Sequence, residues 1–250
     1  MSALRGIITV WQRELLIYSR SKSRIFGSLG IPLFFLIAFG FGLSAVIKVQ
    51  GTNYFSFIVP GMIGMVLLFQ SIFSGLNMIS ERQFGFMKEI MVAPVSRISI
   101  ALGKTLGAAT TSTLQGLLVL LISIPLGFMP TQPWWMILLA IPVMLLIAMG
   151  FAAIGIAFGS VLSDPQGFQF IMNFLVFPIF LFSGAFFALE SLPQWLRAVT
   201  FFDPLTYGVD AMRGLMLGLN HLAIPVAVVV LIIFDAVVII IAARLFNKIQ

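Results

Sequence analysis

The sequence contains no cysteine and a single histidine, His221, in 250 residues. Disulfides, thiolate metal sites and cysteine nucleophiles are therefore excluded, and so is any two-histidine zinc motif. Charge is almost as scarce. Asp, Glu, Lys and Arg make up 9% of the chain, against about 25% in a soluble domain. Hydrophobic residues make up 60% and the mean hydropathy is +1.13. Such a chain is an integral membrane protein. It has no Gly-x-Ser-x-Gly nucleophile turn. Gly103-Lys104-Thr105 resembles the end of a phosphate-binding loop, but Ile98 stands where that loop needs its first glycine, and no strand precedes it. The net charge of +6 does not indicate nucleic acid, because the basic residues cluster beside apolar runs, where they act as topology signals. The first long apolar run begins near Ile25, after five basic residues, and is too long for a cleavable signal peptide.

What remains is an all-α integral membrane protein, read as one transmembrane domain over 1–250. Residues 1–24 carry an apolar stripe (Leu4, Ile7, Ile8, Trp11, Leu15, Tyr18) and basic residues, the pattern of a helix lying along the membrane surface. A simple basic tail is the alternative. Spans are expected at 25–47, 57–79, 101–128, 136–162, 168–187 and 222–245. Gln70, Ser74 and Asn77 share one face of the second span with Glu81. That face points to a bundle interior, a water-filled path, or a hydrogen-bonded helix seam. Gly103, Gly107 and Thr111, and likewise Gly155, Gly159 and Ser163, form small-residue stripes suited to close packing. Asn173 lies at the start of the fifth span on one face with Gln166 and Gln169, and Pro178 interrupts that span. Phenylalanine is abundant, at 26 residues; stretches such as 168–187 either line a greasy route or face lipid.

Two segments are neither spans nor plain loops. Residues 80–100 hold Glu81, Arg82, Lys88, Glu89, Arg97 and nearby Pro94, with Lys104 following. Ser80 and Glu81 suit a helix start, Phe84, Met87, Ile90 and Met91 recur at helical spacing, and Pro94 ends the run. This is an amphipathic docking helix or a solvated loop. Residues 188–220 are too polar to cross and too apolar to be free in water, so one or two short re-entrant helices are expected, with Ser191 and Asp203-Pro204 as starts. The cytoplasmic side is assigned by its basic residues: eleven flank the termini and the 80–100 segment, and three (Lys48, Arg197, Arg213) lie opposite. Both termini are then cytoplasmic and 188–220 is external. Asp235 stands alone near the middle of the last span, either as a proton or cation site or as a hydrogen-bonding group within the bundle or across a dimer.

Glu81-Arg82-x-x-Gly85, then Ala93-Pro94-Val95-Ser96-Arg97 and Gly103-Lys104, then Asp203-Pro204-Leu205-Thr206-Tyr207 before the last span, resemble the type-2 ABC (ATP-binding cassette) transporter permeases, the drug, nodulation-signal and polysaccharide exporter group. The resemblance covers the whole chain; many members carry asparagine at the position of Asp203. It implies a plasma- or inner-membrane export permease for hydrophobic drugs, lipids or lipid-linked glycans. No cofactor is expected on this chain, with ATP and Mg on a separate cytoplasmic ATPase. It implies a second permease copy, commonly a homodimer, with membrane lipids around it. It also implies a coupling helix from Glu81 to Val92 involving Glu81, Arg82, Gly85, Lys88, Glu89, Pro94 and Arg97. The 163–167 turn would be a minor contact. Spans one and five would form the dimer seam and path, and external helices carrying Asp203, Pro204 and Tyr207 would close it. The chief alternative is an ion-coupled transporter or channel built on Asp235. A membrane-embedded transferase or protease lacks paired catalytic groups.

Overall fold

A 30-residue helix, Tyr54–Gln83, runs through the middle of the bundle, and the other long helices are arranged around it. The computed structural model describes residues 3–44, 46, 47, 49, 51–85, 95–187, 189 and 193–247. Among them are nine helices: α1 (Ala3–Arg20), α2 (Lys22–Gly42), α3 (Tyr54–Gln83), α4 (Arg97–Ser123), α5 (Trp134–Val161), α6 (Pro165–Phe182), α7 (Gln194–Thr200), α8 (Pro204–Leu217) and α9 (Ile224–Asn247). Six of these, α2 to α6 and α9, are long and apolar enough to cross a membrane.

Local chemistry sets the ends. Asn53 caps α3 by accepting from the Ser56 N–H, and Ser96 caps α4 by accepting from the Ser99 N–H. Asp164 does the same for α6 through the Gly167 N–H, so that span starts at Pro165, three residues earlier than the hydropathy suggests. Its middle turn, Met172–Val176, is wider than an α-turn. The Phe177 N–H reaches back to the Met172 carbonyl, and Pro178 has no N–H to continue the normal ladder. The helix stops at Phe182, and residues 183–187 form a turn instead of extending the span. α2 likewise ends at Gly42, short of the expected Ile47, and α4 ends at Ser123, short of Phe128.

The glycine stripes act as contact surfaces. A Cβ on Gly75 would lie 2.0 Å from the Gly155 carbonyl oxygen, and one on Gly159 would lie 2.6 Å from that of Gly75. α3 and α5 therefore meet backbone to backbone. Gly103 and Gly107 of α4 receive Val10 and Glu14 of α1. Helix α1 follows the first half of α4 in the same direction, with Gly6 against Ser99 and Trp11 Nε1 donating to Thr110 Oγ1 at 3.0 Å. Its inward face is thus Gly6, Val10 and Glu14, and the expected apolar stripe is partly outward, with Leu4 and Ile8 exposed. Short α8 is buried along nearly its whole length against α3, α5 and α9.

A charge ring and the ends of five helices

The end of α3 is where the charge gathers. Ser80 and Glu81 do not open a new helix: both lie in the last turns of α3, which continues to Gln83 and stops at Gly85, whose φ of +83° suits glycine. The helical ladder has nothing to break it before that glycine. Residues 86–94, with Lys88, Glu89 and Pro94, lie outside the described residues, and with them most of the expected coupling helix.

Glu81 faces inward. Its carboxylate accepts from Lys104 Nζ at 2.5 Å and from Arg13 Nη1 at 3.1 Å. Glu14 accepts from the same two cations, at 3.2 Å and 3.1 Å. Each base therefore touches both acids in a ring of four that joins α1, α3 and α4. The lysine side chain is 7% exposed and that of Glu81 16%. Such a pair survives burial only because every charge has an opposite within hydrogen-bonding reach.

The neighbouring arginines cap helices. Arg82 Nη1 donates to the carbonyls of Gly159, Ser160 and Leu162 at 3.2–3.4 Å, at the last turn of α5, and Gln83 Nε2 donates to the Ser163 carbonyl at 3.2 Å. Arg97 Nη1 donates to the Asn247 carbonyl at 3.0 Å, at the end of α9. A cation at a helix C-terminus meets both unpaired carbonyls and the negative end of the dipole. The residues flanking 86–94 thus fasten α1, α3, α4, α5 and α9 together.

Gln70, Ser74 and Asn77, on the same face of α3 as Glu81, line a cavity of about 50 Å³ shared with α1, α4 and α5. Asn173 lies away from it, exposed on α6, where it accepts from Gln169 Nε2 at 3.4 Å. Asp235 is 4% exposed against Gly150 of α5, and its carboxyl oxygens have no hydrogen-bond partner among the described residues.

At the opposite end, Asp203 caps α8. It accepts from the Leu205 N–H at 2.9 Å and from Thr206 Oγ1 at 3.2 Å, and Pro204 is the first residue of the helix. Burial pushes its carboxyl up to about 7, against the opposing pull of those two hydrogen bonds. Tyr207 donates to the Phe201 carbonyl at 2.8 Å. The segment holding Ser191 is outside the described residues, and α7 begins after Pro193.

Arg213, which the charge count assigns to an external surface, is instead buried. Its Nη2 donates to the Gly184 carbonyl at 3.1 Å, and its guanidinium carbon is 3.8 Å from the Phe57 ring centre. Asp210 accepts from the His221 and Leu222 backbone N–H groups and so steers the chain into α9. In the sequence Glu14 and the ring partners of Glu81 carry little signal of their own. The one available signal was a lone acid in an otherwise basic N-terminal segment.

Six apolar helices and a charged, cross-braced end are compatible with many transporters. The decisive observation is a match of residues 5–217 to the family described as ABC-2 type transporter. The chain belongs to that family. The permease is also similar to nodulation protein J of Rhizobium leguminosarum bv. trifolii, 29% identical over 215 residues, covering 84% of this chain and 81% of the relative. The same-named protein of R. leguminosarum bv. viciae is 25% identical over 245 residues, 96% and 93% of the two chains. The putative transport permease ycf38 of Cyanophora paradoxa is 26% identical over 223 residues, 82% and 77%. The permease is therefore a multi-pass membrane transport subunit of an ABC system. In this family the membrane subunit is not the ATPase, and an ABC ATPase partner is implied.

Proposed function

We propose that the permease is the membrane half of an ATP-driven exporter in the cell membrane. Two copies work with two cytoplasmic ATPase subunits, which carry the ATP and Mg, and both permease termini are cytoplasmic. The cargo is a hydrophobic drug, a lipid or a lipid-linked glycan, in keeping with a bundle so poor in charge. The observation that carries this reading is the bracing around residues 86–94. A push on that segment reaches α1 and α4 through the Glu81–Lys104 ring, α5 through Arg82 and α9 through Arg97. Lys88, Glu89 and Pro94 would meet the ATPase directly, whereas Glu81, Arg82 and Arg97 pass the motion on.

A second copy is supported by what α2 and α6 leave uncovered. Only 22% of each of these spans is buried, against 89% of the most apolar 18-residue stretch of α3. α6 carries the exposed Gln169–Asn173 amide pair, which is costly against lipid. Amides both donate and accept, so the same pair on a two-fold-related copy can satisfy them. The ion-coupled alternative rests on Asp235, which is buried against Gly150 of α5.

The test is purification of tagged permease in mild detergent, with mass spectrometry and ATPase assay of what comes with it. An ABC ATPase in one-to-one ratio is expected. Glu81→Ala is expected to leave that association intact while export per ATP hydrolysed falls. Permease alone, with no ATPase activity and with transport driven by an ion gradient, would move the assignment to the ion-coupled class.

A further inference from the structure

The cavity beside the charge ring lies between α1, α3 and α4 and extends along α4 from Lys104 to Gln115, about three helical turns. Gln115 is 1% exposed. Its Nε2 donates to Ser28 Oγ at 2.7 Å, and its Oε1 has no partner among the described residues. Ser74 and Thr111 give their hydroxyl protons to the carbonyls of Ser71 and Ala108, at 2.7 Å and 3.0 Å, so toward the cavity they can only accept. The amides of Gln70 and Asn77 complete the wall on α3.

Three properties of an occupant follow. It must donate hydrogen bonds, because Ser74 and Thr111 can only accept toward the cavity and the buried Gln115 Oε1 still needs a donor. It must be neutral, because Arg13 and Lys104 already balance Glu14 and Glu81 at the cavity floor; a metal cation would leave an unmatched charge. It must be small, since about 50 Å³ is well below the roughly 150 Å³ cavity that takes a benzene ring. Water meets all three conditions, and one water needs on the order of 10–15 Å³ measured this way.

We infer that this cavity is a hydration site holding a few ordered waters, which satisfy Gln115 and link it to the charge ring. The inference does not depend on the transport reading. Its consequence for the ring is that the Glu14 and Lys104 charges border water as well as each other, so α1 can shift against α3 and α4 without a bare charge forming.

The absence of native cysteine makes the test direct, because one introduced thiol is then the only one. Membranes carrying T111C, S74C or T113C are treated with silver ion, which has nearly the size of a water molecule and, by displacing the thiol proton, leaves no added charge in the cavity. Remaining thiol is then counted with a maleimide in SDS. Thr113 is buried, bonds to the Ala109 carbonyl and does not line the cavity. Loss of maleimide labelling at T111C and S74C, with labelling retained at T113C, is the expected result. The serine variant guards against a fold defect at position 111, and each is checked by size-exclusion elution. Equal labelling of all three after silver, or equal loss in all three, overturns the inference.

Discussion

Lys104 gives the sharpest test at the scale of one residue. Lys104→Met leaves Glu14 and Glu81 sharing Arg13 alone, and breaking a buried pair by removing one partner typically costs about 3–5 kcal/mol. Adding Glu81→Gln restores the balance with Arg13 and Glu14, so the double variant is expected to be more stable than Lys104→Met alone. Thermal unfolding in detergent measures both. A double variant that is less stable by the sum of the two single losses would contradict the shared ring. None of this geometry was legible in advance. Glu14 and Lys104 are 90 positions apart, and Glu81, as an acid after serine, suits a helix N-terminus by sequence alone. What decides its role is the absence of any chain break before Gly85, together with a lysine arriving from another helix.

At the scale of the element, long spans were legible because hydrophobic periodicity and length dominate in lipid. Their ends moved where a cap or proline intervened: Asp164 starts α6 early, and Pro178 widens its middle turn. The stripes Gly103–Gly107 and Gly155–Gly159 were legible as contact faces, though not which helix would fill them. For the short helix α8, the cap itself is titratable. Asp203 has a folded value of about 7 against an unfolded value near 3.9. The folded state therefore holds its proton over that interval, and the carboxyl's contribution to stability is full below about pH 4 and declines as pH rises to about 7. Asp203→Asn keeps the acceptor for the Leu205 N–H and removes this decline. Melting temperature from pH 4 to 8 is expected to show a shallower fall in the variant than in the parent; parallel curves would mean that Asp203 titrates as it does when unfolded.

At the scale of the whole molecule, burial is lopsided. α3 is enclosed, while α2 and α6 present Phe26, Phe34, Phe170 and Phe174 outward. The outer face of α9, with Ile233, Val237 and Ile240, is equally apolar through the middle of the span, and its one amide, Asn247, is the last residue of the helix. The proposed seam on α6 and lipid on α9 predict different cross-linking. Single cysteines stepped along Phe170, Phe174, Phe177 and Leu181 are expected to give copy-to-copy disulfides on mild oxidation for at least one position. Those at Ile233, Val237 and Ile240 are expected to give none. The reverse pattern would put the second copy on the other side. Sequence alone offered this seam only through resemblance, since periodicity does not tell an apolar face that meets lipid from one that meets protein.

The start of α1 and the end of α9 arrive at the same place. Gly6 sits against Val95 and Ser99, and the Asn247 carbonyl is held by Arg97. Three pieces of chain, positions 95 to 99, the start of α1 and the end of α9, share one small patch. A second domain joined by a short linker before α1 or after α9 would hang beside the same surface. Gene fusions in either order are therefore geometrically equivalent for this fold, and a domain attached at one end need not travel around the bundle to reach the turn at 95 to 99.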